Sequence, residues 1–353
     1  MLGHYGLLAL TSVEAVKWFR ADKGNDPVTN PILVETTRGP LIENRHRAAA
    51  VICTASGDIV EAWGDGTAHI LPRSSIKMIQ ALPLIESGAA EAARLKPEHL
   101  ALACASHQGA AIHTDAVAAW LEVLSLSPAH LLCGPQPPRD AAVKATDRTP
   151  TRLLNNCSGK HTGFLTLARH IGAAVDGYLD PDAPVQSAVA DAFADMTGTE
   201  PPLAYGIDGC SAPNFAASLS GIAHAMAQFA RPDGLSRARG AAAQDLVAAM
   251  AAHPIMVSGG GRACLALTTA TESAAVVKTG ADGVFTGIYP KGGVGFCLKV
   301  DDGNTAAAES LCAALLVRIG ALEASHPVAQ RYCQTEITNF NGESVGVRRV
   351  SLG

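Results

Sequence analysis

The segment LPRSSIKMIQ, residues 71–80, places Ser74 and Lys77 three positions apart at the predicted start of a helix. Residues i and i+3 share a helical face with Cβ atoms about 5–6 Å apart, so the Lys77 amine is within reach of the Ser74 hydroxyl. A serine attacks as a nucleophile when a base removes its proton, and a lysine is such a base when burial or a second cation lowers its pKa. The alternative interpretation is a capping serine followed by a solvated lysine, because S-x-x-K is common by chance.

A second motif, Lys278-Thr279-Gly280, ends the apolar run VVKTG. Penicillin-recognising serine enzymes carry S-x-x-K and K-T-G in this order, with S-D-N between them. The chain has no S-D-N tripeptide; instead, Ser106 and His107 follow the apolar run LALACA. Ser106 is therefore either the second serine of a catalytic site or an ordinary turn or N-cap residue.

Two further segments combine thiols with other polar groups. NNCSGKHTGF contains Cys157, Lys160 and His161, and YGIDGCSAP contains Asp208 and Cys210. The C-x-x-C pairs typical of zinc sites are missing, so spacing alone leaves open both buried thiols and an unusual metal site. The density of polar side chains in predicted loops favours a function over packing.

Six motifs, RSSIK, ASHQGAAIH, NNCSGKHTG, DGCSAP, GRAC and KTGADG, make the chain resemble the rhizobial-type L-asparaginase II family from about residue 31 to the C terminus. The resemblance implies a serine β-lactamase-like fold, a homodimer, and hydrolysis of L-asparagine to L-aspartate and ammonia. The catalytic residues it implies are Ser74, Lys77, Ser106 and Lys278. It also implies a zinc ion held by Cys157, Lys160 and Cys210. Because the serines and lysines already supply nucleophile and base, we expect this ion to support substrate binding rather than to activate water. Predicted substrate contacts are Arg73, Asp208, His107 and Cys264.

Two positions depart from the family pattern. The family commonly has S-H-x-x-E after the second serine, and here the acidic position is Ala110; a similar glycine-for-glutamate change is present in Gly259–Gly261. Substrate preference therefore stays open. Two alternatives are another serine amidase or penicillin-recognising hydrolase, and a catalytically silent amino-acid-binding or metal-sensing protein on the same scaffold.

Periodicity of the apolar residues predicts an α/β fold in which both chain ends supply the sheet. Strand-like runs open the chain after residue 30 and return near residue 274, and alanine-rich helical patterns fill the middle. We expect a sheet-containing α/β part from residues 31–105 and 265–353, and a mainly helical part, residues 106–264, that carries the metal-site loops. Residues 1–30 are expected to form a peripheral extension without chemistry.

Composition excludes several functional classes. A chain of 353 residues with 48% hydrophobic and 17% charged residues is typical of a well-buried globular protein. A formal net charge of −5 offers no basic surface for nucleic acid, and no run of about 18 apolar residues predicts a membrane span. Nine scattered cysteines indicate reduced thiols, and the first residues lack the pattern of a secretory signal. We therefore expect a cytoplasmic protein that acts on a small molecule.

Overall fold

The computed structural model describes residues 29–146 and 149–353, so the prediction for the N-terminal extension falls almost entirely outside the described residues. Twelve strands are found in this part of the chain: β1 (Ile32–Arg38), β2 (Leu41–Thr54), β3 (Ile59–Trp63), β4 (His69–Ile70), β5 (Tyr205–Ile207), β6 (Pro213–Phe215), β7 (Ala217–Ser218), β8 (Val276–Thr279), β9 (Val284–Tyr289), β10 (Val294–Val300), β11 (Gln334–Thr338) and β12 (Ser344–Val350). Eight of them form one antiparallel sheet in the order β11-β12-β1-β2-β10-β9-β8, with β3 paired to β2.

Thirteen α-helices accompany the strands over the same described residues: α1 (Lys77–Glu86), α2 (Ala89–Ala92), α3 (Pro97–Ala103), α4 (Ala111–Val123), α5 (Ala141–Lys144), α6 (Ser158–His170), α7 (Pro184–Thr197), α8 (Leu219–Ala230), α9 (Arg237–Ala252), α10 (Pro254–Ser258), α11 (Ala263–Ala270), α12 (Thr305–Arg318) and α13 (Pro327–Cys333). Strands of the main sheet come from both ends of the described chain, and most helices lie between them. The predicted α/β class is therefore confirmed.

Strand β2 shows why the sheet is buried on both faces. Its residues alternate between two cores: Val51 and Cys53 join the core of the helical side, whereas Ala50 and Ile52 join the core beneath helices α11 to α13. Successive side chains of a strand point to opposite faces, so a strand covered on both faces is apolar at every position. The run AAAVIC, residues 48–53, meets this requirement.

Two helices before residue 105 belong to the helical side of the molecule. Helices α1 and α3 precede residue 105, yet they pack against α6, α7 and α9 rather than completing the sheet layer. The end of α3 leads directly into Ser106, so this packing places the second predicted serine between the sheet and the helices. Within residues 29–146 and 149–353 no helix has the length and apolarity to cross a membrane.

Candidate active site

The first serine motif lies at a junction between two helix types. Residues Arg73–Ile76 form a 3-10 helix, and α1 begins at Lys77. Ser75 faces inward, and its hydroxyl donates a 2.8 Å hydrogen bond to the Pro72 carbonyl. Ser74 instead lines the main cleft, and its side chain forms no hydrogen bond with the described residues. Ser74 is thus the motif serine whose hydroxyl is free to meet a ligand.

Gly280 explains why the K-T-G motif ends in glycine. A Cβ atom at this position would lie 2.6 Å from the Pro72 carbonyl oxygen and 3.3 Å from the Ser75 Cβ. Both distances are shorter than a van der Waals contact, so any other residue would force β8 away from the 3-10 helix. The glycine therefore lets the end of β8, and with it Lys278, approach the serine motif.

Lys77 does not pair with Ser74 as the spacing predicted. Its amine donates to the Ala105 carbonyl, to the Ser106 hydroxyl at 3.2 Å and to the Cys157 sulfur at 3.2 Å. A lysine ammonium has three N–H donors, so these acceptors occupy all of them. Lys77 can reach Ser74 only after it releases one of these partners.

Ser106 joins the two predicted lysines. Its hydroxyl lies 2.8 Å from the Lys278 amine and 3.2 Å from the Lys77 amine. Lys278 also donates a hydrogen bond to the Thr279 carbonyl at 2.9 Å. The backbone N–H of Ser106 donates to the Val257 carbonyl at 2.8 Å, which holds the serine in place. The two amines and one hydroxyl form a continuous chain of proton carriers.

Burial makes Lys278 a weaker base than an ordinary lysine. The Lys77 and Lys278 side chains are 0% and 1% exposed. Burial, followed by the positive charge of Lys77, lowers the pKa of Lys278 to about 7. Lys278 is therefore neutral in a substantial fraction of molecules at neutral pH, which a general base requires.

A cleft of about 460 Å³ opens over these groups. Its lining combines both serines with three arginines, two aspartates and a set of amides: Arg73, Ser74, Ser106, Gln136, Arg139, Asn155, Asn156, Asp208, Arg262 and Asp282. A concave site with a few converging polar groups is typical of a small-molecule site.

Arg73 and Asp208 face each other across one wall of the cleft. The Arg73 Nε and a second guanidinium nitrogen lie 2.9 and 2.8 Å from Asp208 Oδ1, and the remaining nitrogen binds Asp282. Burial raises the pKa of Asp208, but the charges of Lys160 and Arg73 hold it below its usual value overall. Asp208 is therefore an anion in the cleft, and the Arg73 guanidinium is already paired with two carboxylates, those of Asp208 and Asp282.

Two predicted substrate contacts lie behind the cleft rather than in its lining. His107 is fully buried; Nε2 is 2.9 Å from the Ser158 hydroxyl, and Nδ1 accepts the Gly109 N–H at 3.1 Å. Cys264 is also buried, and its sulfur accepts the Thr279 N–H at 3.2 Å. Neither residue is part of the cleft lining, and both hold the loops beside Ser106 and Lys278, so direct substrate contact by them stays a prediction.

The predicted metal ligands lie close together at the cleft, with Cys157 and Cys210 in its lining and Lys160 buried behind them. The Lys160 amine lies 3.2 Å from the Cys210 sulfur, and the Cys157 sulfur accepts from the Lys77 amine at 3.2 Å. The neighbouring Cys157 thiol, together with the charges of Lys160 and Lys77, lowers the pKa of Cys210 and favours a thiolate. Among the residues that the structure describes, no group of three or more His, Cys, Asp and Glu side chains is placed to hold a metal. A metal would thus need the lysine amine in addition to the two thiols.

Gly159 permits this convergence. A Cβ at Gly159 would lie 2.4 Å from the Leu102 carbonyl oxygen, so the first turn of α6 packs directly on the backbone of α3. The Cys157 sulfur thereby reaches the Lys77 amine, and the thiols become continuous with the serine and lysine chain.

Residues 34–350 match the family described as L-asparaginase II. The chain belongs to this family. The match spans almost all of the described chain, so the resemblance inferred from the six motifs is confirmed, and membership supports a hydrolase with a small-molecule substrate. No curated protein matches the chain significantly.

Solved structures with a similar fold include β-lactamases. One from Mycobacterium bovis is 13% identical, with a TM-score of 0.41 over 77% of this chain and 94% of that chain. Another from Burkholderia ambifaria is 15% identical, with a TM-score of 0.36 over 78% and 94% of the two chains. A protein called Mglu is 16% identical, with a TM-score of 0.38 over 79% and 68%. These TM-scores are below 0.5, so family membership rests on the sequence match.

Sequence reasoning missed two arginines of the cleft, Arg139 and Arg262. Arg139 lies in the irregular segment before α5, and Arg262 is the residue before α11. The GRAC motif contains Arg262, but nothing in its spacing relative to Ser74 or Ser106 indicated that it faces the same cavity.

Proposed function

We propose that this protein hydrolyses the side-chain amide of L-asparagine through a covalent acyl-enzyme formed on serine. The observation that supports the proposal is the contact of one cleft hydroxyl, Ser106, with two buried lysine amines, Lys77 and Lys278. Burying two lysines is costly, and enzymes use such burial to obtain a neutral amine that acts as a base near neutral pH. In a member of the L-asparaginase II family, this arrangement fits amide hydrolysis.

Ser74 is the proposed nucleophile. It lines the cleft, lies one turn before Lys77, and has a hydroxyl without a partner among the described residues, whereas the Ser106 hydroxyl is enclosed by two amines. Neutral Lys278 accepts a proton from the Ser106 hydroxyl, which in turn takes one from Lys77. Lys77 is then free to remove the Ser74 proton as Ser74 attacks the amide carbon.

The proton balance closes with the leaving group. The proton taken from Ser74 passes from Lys77 to the departing nitrogen as the carbon–nitrogen bond breaks, so ammonia leaves and a β-aspartyl ester remains on Ser74. A water molecule then attacks the ester and gives a proton to Lys77. That proton passes to the Ser74 oxygen as the ester bond breaks, so L-aspartate is released and the serine hydroxyl is restored. Ser106 serves in both halves as the link between the lysines, which is why its contact with both amines matters.

Asp208 is proposed to hold the α-amino group of the substrate. It is an anion that lines the cleft, and Arg73 fixes its orientation through Oδ1. The sequence predicted Arg73 as a substrate contact, but its guanidinium pairs with the carboxylates of Asp208 and Asp282. We therefore assign Arg73 to positioning Asp208.

Zinc is proposed to bind Cys157, Cys210 and Lys160. Two sulfur donors and one nitrogen donor suit the borderline-soft zinc ion, and the lowered pKa of Cys210 supplies a thiolate. Burial lowers the pKa of Lys160, but the charges of Cys210, Cys157 and Asp208 raise it overall, so its proton must be displaced by the metal. When bound, zinc would supply positive charge that fixes the loop carrying Asp208. The homodimer and the cytoplasmic location stay predictions.

One assay tests the proposed function against its rivals. Purified protein is incubated separately with L-asparagine, L-glutamine and a chromogenic β-lactam, and ammonia release and β-lactam opening are followed. We expect ammonia from L-asparagine, with a Lys278→Met variant as the inactive control. Turnover of the β-lactam alone would favour the penicillin-recognising alternative. Turnover of none of the three would favour the catalytically silent binding protein.

A further inference from the structure

Arg139 and Arg262 carry positive charge into the cleft without a matching acid. Both line the cavity that contains Ser74 and Ser106, and neither forms a salt bridge with any described residue. Among the described residues, the only acids in the lining are Asp208 and Asp282, and both are bound to Arg73. The wall therefore presents two guanidinium groups that remain available to an anion.

The two arginines line the same cleft. Desolvation and then the charge of Arg262 lower the pKa of Arg139. Glu309 also feels the charge of Arg262, but burial dominates and raises the Glu309 pKa, and no ion pair forms between them. Like charges held together repel each other unless an anion binds between them.

The backbone fixes this wall relative to the catalytic serine. The N–H groups of Arg139 and Asp140 both donate to the Gln108 carbonyl at 2.9 Å, two residues after Ser106. A Cβ at Gly259 would lie 3.3 Å from Gln108, so the loop before Arg262 packs on the same segment. Arg139 and Arg262 are thus attached to the segment of chain that carries Ser106.

The cleft that Arg139 and Arg262 line has a volume of about 460 Å³. The loop before Arg262 is also open at Gly260, where a Cβ would meet nothing within 4 Å. The segments 108–110 and 259–261 contain no acidic residue, so they supply no internal counter-charge. This wall combines open volume with uncompensated positive charge.

We propose that Arg139 and Arg262 form the subsite for the α-carboxylate of the substrate and restrict turnover to amides that carry a carboxylate. The inference rests on the proposed function. With Asp208 on the α-amino group and the two arginines on the α-carboxylate, charges of opposite sign orient the substrate so that its amide faces the serines. Guanidinium groups suit this role because they bind a carboxylate through paired N–H donors.

The test pairs arginine variants with a substrate that lacks the carboxylate. 3-Aminopropanamide is L-asparagine without its α-carboxylate. We expect Arg139→Gln and Arg262→Gln each to raise the KM for L-asparagine about 10- to 100-fold and to leave kcat/KM for 3-aminopropanamide within about threefold of the parent value. Arg237→Gln, on the exposed start of α9, is the matched control and should change neither. Arg262→Lys should recover part of the loss because it restores the charge.

Equal losses on both substrates would overturn the subsite, because a general disturbance of the cleft does not depend on the carboxylate. Binding of L-aspartate and β-alanine, measured by calorimetry, separates this outcome from failure of the proposed function. If the parent protein releases no ammonia from L-asparagine, the proposed function fails. The subsite is then still supported if the parent protein binds L-aspartate more tightly than β-alanine and the two arginine variants lose this difference in affinity. If the parent protein binds both compounds equally well, the subsite is wrong.

Discussion

The Ser106 hydroxyl lies 2.8 Å from the Lys278 amine and 3.2 Å from the Lys77 amine, so one hydroxyl bridges two buried lysines. A bridge of this kind couples the protonation of the two amines, because a proton can move between them through the hydroxyl. The coupling gives Ser106 a role that differs from that of Ser74, whose hydroxyl stands free in the cleft.

The first prediction distinguishes the two serines. Ser74→Ala should lower kcat about 10³-fold or more, since it removes the attacking atom. Ser106→Ala should lower kcat less, by about 10- to 100-fold, because it interrupts proton transfer but leaves the nucleophile. Acid-quenched turnover mixtures, digested and analysed by mass spectrometry, should carry the β-aspartyl ester on the peptide that contains Ser74.

An ester on the peptide containing Ser106, together with near-normal turnover by Ser74→Ala, would reverse the assignment. Ser106 would then be the nucleophile and Lys278, at 2.8 Å, its direct base. Ser125→Ala is the control for both variants, because Ser125 follows α4 outside the cleft lining.

The second prediction concerns pH. Lys278 acts as a base only when it is neutral, and its pKa is lowered to about 7, so kcat/KM should fall about tenfold per pH unit below pH 7 and level off above it. Lys278→Arg, which stays protonated at every accessible pH, should be inactive across the range. A profile for the parent protein that is flat between about pH 5 and pH 9 would contradict a lysine base.

The sequence predicted residue types and their order better than their contacts. Ser74, Lys77, Ser106 and Lys278 lie close together, because the 3-10 helix that carries Ser74 packs against β8, the strand that carries Lys278. The pairing of Lys77 with Ser106 could not be predicted from spacing. It depends on where α3 ends, and that is decided by packing against α6 and α9.

The positions of His107, Cys264 and Arg139 also could not be predicted from the sequence pattern. His107 and Cys264 sit within motifs, yet their ring nitrogens and sulfur are consumed by local loop hydrogen bonds. Arg139 lies in a segment without apolar periodicity. The backbone N–H groups of Arg139 and Asp140 both bind the Gln108 carbonyl, and these hydrogen bonds hold Arg139 at the cleft. Tertiary contacts of irregular loops leave no periodic pattern in the sequence.

The third prediction concerns Gly280. Replacement by alanine would place a methyl group 2.6 Å from the Pro72 carbonyl oxygen, so β8 must move relative to the 3-10 helix. We expect a loss of about 1–3 kcal/mol in the free energy of unfolding and a fall of at least about tenfold in kcat, because Lys278 and the serines lose their alignment. Gly177→Ala is the control, since its added Cβ meets nothing within 4 Å. Unchanged kcat in a folded Gly280→Ala variant would show that this approach is not needed for catalysis.

The fourth prediction concerns the metal. Protons compete with the zinc ion for its three proposed donors, Cys157, Cys210 and Lys160. Protein purified without chelators should therefore contain about one zinc per chain near neutral pH and lose it on acidification. Cys157→Ser and Cys210→Ser should each lose the zinc, as measured by elemental analysis, and mainly raise KM, by about tenfold or more, because the loop that carries Asp208 is released. Cys333→Ser, in a thiol outside the cleft lining, should keep a full complement. If both ligand variants retain zinc and Cys133→Ser loses it, the metal site lies at Cys133, another thiol of the cleft, and the proposed ligands are wrong. If the parent protein contains no zinc, Cys157 and Cys210 are a buried thiol pair and not metal ligands.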